Sequence, residues 1–195
     1  MVKLEEIRKP VQQEMKEFNR RFRVSVSSSI PLLNIVTRYI LRRKGKQIRP
    51  LFVFLSSKLT GDITDSSYTA ASLIELMYIA TLVHDDVMDE SNERRGAFSI
   101  NAIWRSKVAV LFGDYLLARG LLLAVENKEY ELLEIVSSAS REMSEGELLQ
   151  IQKSRSLNID MDTYYEVIRK KTATLIASCT SSGAKAASAS QEVVD

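Results

Sequence analysis

The sequence predicts an all-α protein, and three observations carry that expectation. Its 195 residues include only three prolines and seven glycines, so few breakers interrupt the chain. Apolar residues recur at spacings of three and four, which marks one helical face. No alternating strand pattern of useful length and no repeat at solenoid spacing is present.

The elements follow in order. Leu4, Ile7, Val11, Met15, Phe18 and Phe22 form the apolar face of a first helix. Pro10 within it is either a first-turn proline or a kink. Ser27-Ser28-Ser29 with Pro31 marks the start of a helix running to about Arg43. Lys44-Gly45-Lys46-Gln47-Ile48-Arg49-Pro50 reads as a loop or helix junction. A helix from about Arg49 to Leu59 follows, stopped by Thr60-Gly61-Asp62. A long helix covers Ser67 to Asp89, and Ser91 to Phe98 is a polar loop. Further helices cover Ile100 to Ser106, Val108 to Glu126, Tyr130 to Ser154 and Met161 to Ala189, with breaks near Asn127 and Asn158.

The bulk numbers exclude several classes. Hydrophobic content is 45% and charged content 27%, ordinary for a globular domain long enough to bury a core. A net charge of +2 is too small to argue for a nucleic-acid partner or an anionic membrane. The first residues lack the apolar core of a signal peptide, and no apolar run long enough for a transmembrane segment is expected. Cys179 is the one cysteine, so no intramolecular disulfide can form and a cytoplasmic setting is expected.

Charge concentrates at Asp85-Asp86-Val87-Met88-Asp89, followed by Arg94-Arg95-Gly96. At the end of an apolar helix, Asp85 and Asp89 stack one turn apart with Asp86 beside them. Carboxylates this close repel one another unless a cation lies between them. Hard oxygen ligands in such a row suit Mg²⁺, and the arginines offer planar forks for phosphate oxygens. A metal-bridged diphosphate site is the reading these residues support. Lys44, Lys46 and Arg49 around Gly45 form a second basic group that could grip another diphosphate. Lys170-Lys171-Thr172 reads first as a surface pair, in which one lysine must face further inward than the other. Glu145, Glu147, Gln150 and Gln152 read as surface or helix-lining polar groups. His84 fits a structural hydrogen-bonding role, while Cys179 and Trp104 fit the core.

These motifs resemble the trans-isoprenyl diphosphate synthases, or polyprenyl synthetases. The resemblance rests on Gly45-Lys46-Gln47-Ile48-Arg49-Pro50, Thr81 through Ser91, Arg94-Arg95-Gly96, Gly113 through Arg119, Gly146-Glu147 and Ile168 through Ala173. It spans residues near 30 to near 187. It implies an all-α isoprenoid-synthase bundle of helices around a central cavity. The implied reaction is head-to-tail condensation of isopentenyl diphosphate with an allylic diphosphate such as farnesyl diphosphate. Asp85, Asp86 and Asp89 would hold Mg²⁺ on the allylic diphosphate, and Arg94 would contact that same group. Lys46, Arg49 and Arg95 would hold isopentenyl diphosphate. Lys171 and Thr172 would reach the allylic diphosphate from the opposite wall. A homodimer is implied as well.

Two positions depart from the family pattern. Tyr78 stands where a histidine is common, seven residues before Asp85, and is expected to offer one hydroxyl to isopentenyl diphosphate. Lys44 replaces a usual glycine, which would stiffen its loop. Beyond Lys171 there is no second aspartate-rich segment, only Glu192 and Asp195. The expectation is therefore the N-terminal portion of a single synthetase domain, truncated at the C-terminus, which alone elongates chains poorly. Ala80 and Thr81, five and four residues before Asp85, are not aromatic. A growing chain could pass them towards Met77 and Tyr78, so a medium or long product of octaprenyl type is expected. The alternatives are a short-chain farnesyl or geranylgeranyl diphosphate synthase and a non-catalytic subunit of a heteromeric synthase.

Overall fold

A computed structural model of the chain describes residues 3–42, 45–94, 96–156 and 160–194. Among them the all-α expectation holds. The chain opens with α1 (Leu4–Arg8), a 3₁₀ turn (Lys9–Val11) and α2 (Gln12–Ser25). Pro10 sits at the start of that turn, where a missing N–H costs little, so it acts as both first-turn proline and kink. α3 (Pro31–Arg42), α4 (Ile48–Thr60) and α5 (Asp65–Met88) follow.

Within the expected polar loop, β1 (Glu93–Arg94) and β2 (Ala97–Phe98) pair antiparallel, Glu93 opposite Phe98 and Arg94 opposite Ala97. Strands this short leave no period to detect in sequence. α6 (Ile100–Glu126) joins two stretches expected as separate helices, and its break lies at Arg105 (φ 68°, ψ 165°). α7 (Tyr130–Ser156) and α8 (Met161–Ile168) come next. The single helix expected to Ala189 is divided. A π-turn (Arg169–Ala173) separates α8 from α9 (Thr174–Ala186), and α10 (Gln191–Val194) closes the described chain. The expected break near Asn158 lies outside the described residues.

α5 is the central element. Its buried residues include Ala70, Leu73, Ile74, Leu76, Met77, Ala80 and Val83, on more than one side of the helix. It packs most extensively against α6 and also meets α4, α7 and α9. Thr64 starts it, with its N–H donating to Ser67 Oγ at 3.2 Å and its hydroxyl to the Ala186 carbonyl at 2.9 Å. α9 in turn lies against α4, where the Ser57 hydroxyl donates to the Gly183 carbonyl at 2.8 Å. Phe54 on α4 is fully buried and meets Phe18 and Tyr68 edge-on at ring separations of 6.0 and 5.1 Å. Such edge contacts add about 0.5–1.5 kcal/mol each beyond the area they bury.

One expectation needs correcting. α5 and α6 are each long and apolar enough, by length and composition alone, to cross a membrane. The sequence reading looked for uninterrupted apolar runs, and these helices carry a few charges within theirs. The apolar stretch of α5 is 67% buried inside the fold, as befits a core helix, and that of α6 is 33% buried.

Cys179 lies in the core as expected, fully buried, its thiol donating to the Leu175 carbonyl at 3.0 Å. Burial pushes its pKa up to about 12. The thiolate is the reacting species, so at pH 8 the native chain should react with a thiol-specific disulfide reagent on the order of a thousandfold slower than the urea-unfolded chain. Stopped-flow absorbance of both states checks this.

Candidate active site

α5 delivers the acidic cluster at its C-terminal turn. The Asp89 N–H donates to the Asp85 carbonyl at 2.8 Å, so these two residues stand one turn apart on one side of the helix. Asp86 takes another direction. It is 4% exposed and accepts from Arg94 Nε at 2.6 Å. Its carbonyl accepts from the Ser91 N–H at 2.9 Å, and the Ser91 carbonyl accepts from the Ser99 hydroxyl at 2.6 Å. A buried carboxylate keeps its charge only beside such a partner. The β1–β2 hairpin is thereby tied to the end of α5.

The three expected metal ligands thus divide into Asp85 with Asp89, and Asp86 with Arg94. No group of three His, Cys, Asp or Glu side chains that could hold a metal forms among the described residues. Two carboxylates are nevertheless an ordinary protein contribution to Mg²⁺, which completes its shell with water and phosphate oxygens.

Electrostatics single out Asp85. Half-burial pushes its carboxyl above the usual carboxylate range, and Glu147 and Asp89 push the same way, while Arg94 and Lys171 pull it down. A carboxylate disfavoured as an anion by its own surroundings is one that a cation would relieve. The donor chemistry therefore fits a divalent ion held by Asp85 and Asp89.

The neighbouring wall is built by α7 and the π-turn. Lys171 Nζ lies 2.5 Å from Glu147 Oε2 and donates to Gln150 Oε1 at 2.7 Å. Lys170 turns further inward, its side chain 12% exposed, and meets Glu145 at 2.7 Å and Glu142 at 3.5 Å. The hydrogen bond that Lys170 donates to Glu145 raises the Lys170 pKa. The lysines read as a surface pair are therefore both held by α7. Gly146 makes this possible, because a Cβ there would come within 2.7 Å of Lys170 Cβ and 3.1 Å of Lys171 Cγ. π-turns frequently mark functional positions. Thr172 is exposed and lines, with Gln150 and Lys171, a cavity of about 350 Å³. Glu147 and Gln150, expected as surface or helix-lining polar groups, are what hold Lys171. The signal that could have raised them was Gly146 beside them, a bare position on an otherwise well-covered helix.

A second basic site forms at the start of α4. Gly45, Lys46, Gln47 and Arg49 line a cavity of about 460 Å³ with Glu75 and Tyr78 from α5. The Arg49 guanidinium lies 3.2 Å above the centre of the Tyr78 ring, a cation–π stack. Among the described residues Arg49 Nε is buried with no hydrogen-bond partner, which suits a donor that awaits a ligand. Tyr78 was expected to act through its hydroxyl, and the contact it makes with Arg49 is through its ring face. Arg95 and Lys44 lie outside the described residues.

Below the acidic cluster, Leu73 and Met77 of α5 border a cavity of about 230 Å³ with Gly120 and Leu121 of α6 and Leu133 and Val136 of α7. Met77 lies about 12 Å down the helix axis from Asp85. Ala80 between them is fully buried. Tyr78, expected beside Met77, faces Arg49 instead. His84 takes the structural role expected for it, with Nε2 3.2 Å from the Val110 carbonyl and 3.4 Å from Asp114. Trp104 is half-buried and meets Tyr39 edge-on at 5.2 Å.

Comparisons with known proteins show the family and the fold. The polyprenyl synthetase family pattern matches residues 30–195. Octaprenyl diphosphate synthase of Escherichia coli is 35% identical over 172 residues, covering 88% of this chain and 53% of that protein. Heptaprenyl diphosphate synthase component 2 of Bacillus subtilis is 37% identical over 175 residues, covering 89% and 50%. The chain therefore spans about half the length of the curated relatives it matches. Among solved structures, a decaprenyl diphosphate synthase from Rhodobacter capsulatus superposes with a TM-score of 0.93 at 33% identity, covering 98% of this chain and 59% of that one. A polyprenyl synthase from Caulobacter crescentus, complexed with calcium and isoprenyl diphosphate, gives 0.92 at 33% identity, covering 98% and 58%.

The raised pKa of Asp85 has a defined sign. Its folded form holds a proton more tightly than the unfolded chain does, so ionised Asp85 lowers stability at neutral pH. That loss is relieved as pH falls through the folded pKa. In chelator at pH 7, Asp85→Asn should raise the thermal midpoint, and the gain should shrink on acidification. Scanning calorimetry from pH 7 to pH 4 reads it.

Proposed function

We propose, from the premise that this chain belongs to the polyprenyl synthetase family, that it serves a prenyltransferase. The reaction is head-to-tail condensation of isopentenyl diphosphate with an allylic diphosphate, giving an all-trans polyprenyl diphosphate. The observation that carries this reading is the placement of two separate cationic sites beside α5. Asp85, Asp89, Arg94 and Lys171 share one electrostatic neighbourhood, and Lys46 and Arg49 line another next to Tyr78. A relative solved with calcium and isoprenyl diphosphate supports pairing a divalent ion with the first site.

Asp85 and Asp89 would hold Mg²⁺, which when bound offsets charge on the departing diphosphate. Asp86 acts through Arg94, orienting that guanidinium towards the same diphosphate. Lys171 and Thr172 approach it from the wall formed by the π-turn. In this reading Lys171 exchanges Glu147 and Gln150 for phosphate oxygens as the ligand arrives. Lys46, Arg49 and Arg95 hold isopentenyl diphosphate, with the Tyr78 ring keeping the Arg49 fork in plane. The allylic C–O bond breaks, the isopentenyl double bond attacks the allylic carbon, and the released diphosphate takes the proton. Preorganised cations supply most of the stabilisation in such a step. The surrounding helices exclude water, which would otherwise capture the cation.

The apolar cavity at Leu73, Met77 and Gly120 would receive the growing chain, and the small Ala80 leaves the way to it open. This supports a medium or long product of octaprenyl type. The apolar residues Leu111, Leu121, Leu122 and Val125 exposed on α6 support a homodimer, and the single buried thiol supports the cytoplasm.

Titration calorimetry with farnesyl S-thiolodiphosphate tests the metal site. Binding should require Mg²⁺, and Asp85→Ala or Asp89→Ala should weaken it at least about tenfold, the effect of losing roughly 1.4 kcal/mol. Equal binding in chelator and in Mg²⁺ would sink the reading. Ala80→Phe should shorten the product by several isoprene units, read by mass spectrometry of the diphosphates. An unchanged product would remove the cavity below Ala80 as the chain's path.

A further inference from the structure

We infer that Arg8 and Asn19, on α1 and α2 and ahead of residues 30–195 that the family pattern matches, are positioning residues for the isopentenyl diphosphate site. This rests on the assignment of the Lys46–Arg49 cavity made above. Gln47 begins α4 in the left-handed region (φ 45°, ψ 45°). A residue with a Cβ rarely adopts that conformation without support. Two contacts from the N-terminal helices supply it. Arg8 Nη2 donates to the Lys46 carbonyl, and Gln47 Nε2 donates to Asn19 Oδ1 at 3.0 Å. The Asn19 amide is itself fixed, its Nδ2 donating to the Met15 carbonyl at 2.7 Å.

The strap that carries Arg8 is anchored at its other end. Lys58 Nζ, in the last turns of α4, donates to the Pro10 carbonyl at 2.5 Å. Val11, Met15 and Phe18 are buried in the core beside it. The segment around Pro10 is therefore tied both to Lys46, ahead of α4, and to Lys58 within it, and it braces the left-handed Gln47 that precedes the helix.

The consequence falls on the site. Lys46 precedes Gln47, and Arg49 follows it by two residues. With Gln47 left-handed, both residues line the same cavity, where Arg49 Nε is buried without a partner among the described residues. Relaxation of Gln47 to an ordinary extended or helical conformation would rotate Lys46 relative to Arg49 and separate the two cations. The N-terminal helices thus preorganise a two-pronged grip whose own residues lie elsewhere in sequence.

Calorimetric titration of this chain with isopentenyl diphosphate, and separately with farnesyl S-thiolodiphosphate and Mg²⁺, tests the clamp. Arg8→Ala and Asn19→Ala should each weaken isopentenyl diphosphate binding about tenfold and leave the allylic analogue unaffected. Arg8→Lys, which keeps a donor for the Lys46 carbonyl, should retain most of the affinity. Gln47→Gly provides the decisive background, because glycine adopts a positive φ without support. In that background Arg8→Ala should cost less than about threefold. A purely structural role for Arg8 would not respond to glycine at position 47. Unchanged affinity in Arg8→Ala and Asn19→Ala, with normal wild-type binding, overturns the clamp alone. Failure of the wild-type chain to bind isopentenyl diphosphate overturns the assignment of the cavity and the clamp with it.

Discussion

α5 is buried on several sides, and that constraint orders the rest of the molecule. A helix surrounded by α4, α6, α7 and α9 has few places where charge can emerge at low cost. Asp65 lies in its first turn and Glu75 opens on the Lys46–Arg49 cavity, while Asp85, Asp86 and Asp89 gather at the C-terminal end, where the packing stops. Even there one of them cannot reach water. Asp86 is buried and accepts from Arg94 Nε at 2.6 Å, and that bond brings the β1–β2 hairpin against the helix end. Asp85 and Asp89 remain on the other side, towards Glu147 and Lys171. The division of labour among three adjacent acids therefore follows from how the helix is buried.

The second site obeys a related rule. Arg49 sits under partial cover, and its guanidinium is satisfied partly by the face of Tyr78. A ring can serve where a family member would carry an imidazole, because the quadrupole of the ring attracts a cation without adding charge. The two sites meet α5 on the same side, through Tyr78 and Asp85, seven residues and about 10 Å apart along the axis. α5 thus fixes their separation as rigidly as a helix permits.

Much of this was legible in the sequence, and the exceptions have physical causes. Helix α3 starts at Pro31, as Ser27-Ser28-Ser29 and Pro31 indicate, and α5 fills nearly the span its apolar pattern predicts. Period and capping are local properties, so local reading finds them. The pairing of Asp86 with Arg94, the ring contact of Tyr78 and the hold of Glu147 on Lys171 depend on residues 8 to 29 positions apart. No period encodes those contacts. The π-turn was missed because one wide turn leaves the apolar pattern almost intact on either side, whereas the break at Arg105 falls within two residues of the interruption expected at Lys107. The left-handed Gln47 carried no sequence signal at all, since glutamine is not a residue that announces a positive φ.

The π-turn has a wider consequence. A π-turn holds one residue more than the α-turn it replaces, so the helix after it is out of phase by about 100°. α9 presses against α4 and α5, while the π-turn presses against α7. The wide turn works as a phase adapter on a single rod. It decouples the rotation that suits the core from the rotation that aims Lys171. Substitutions that improve the packing of α9 therefore need not swing Lys171 away from Glu147 and Gln150.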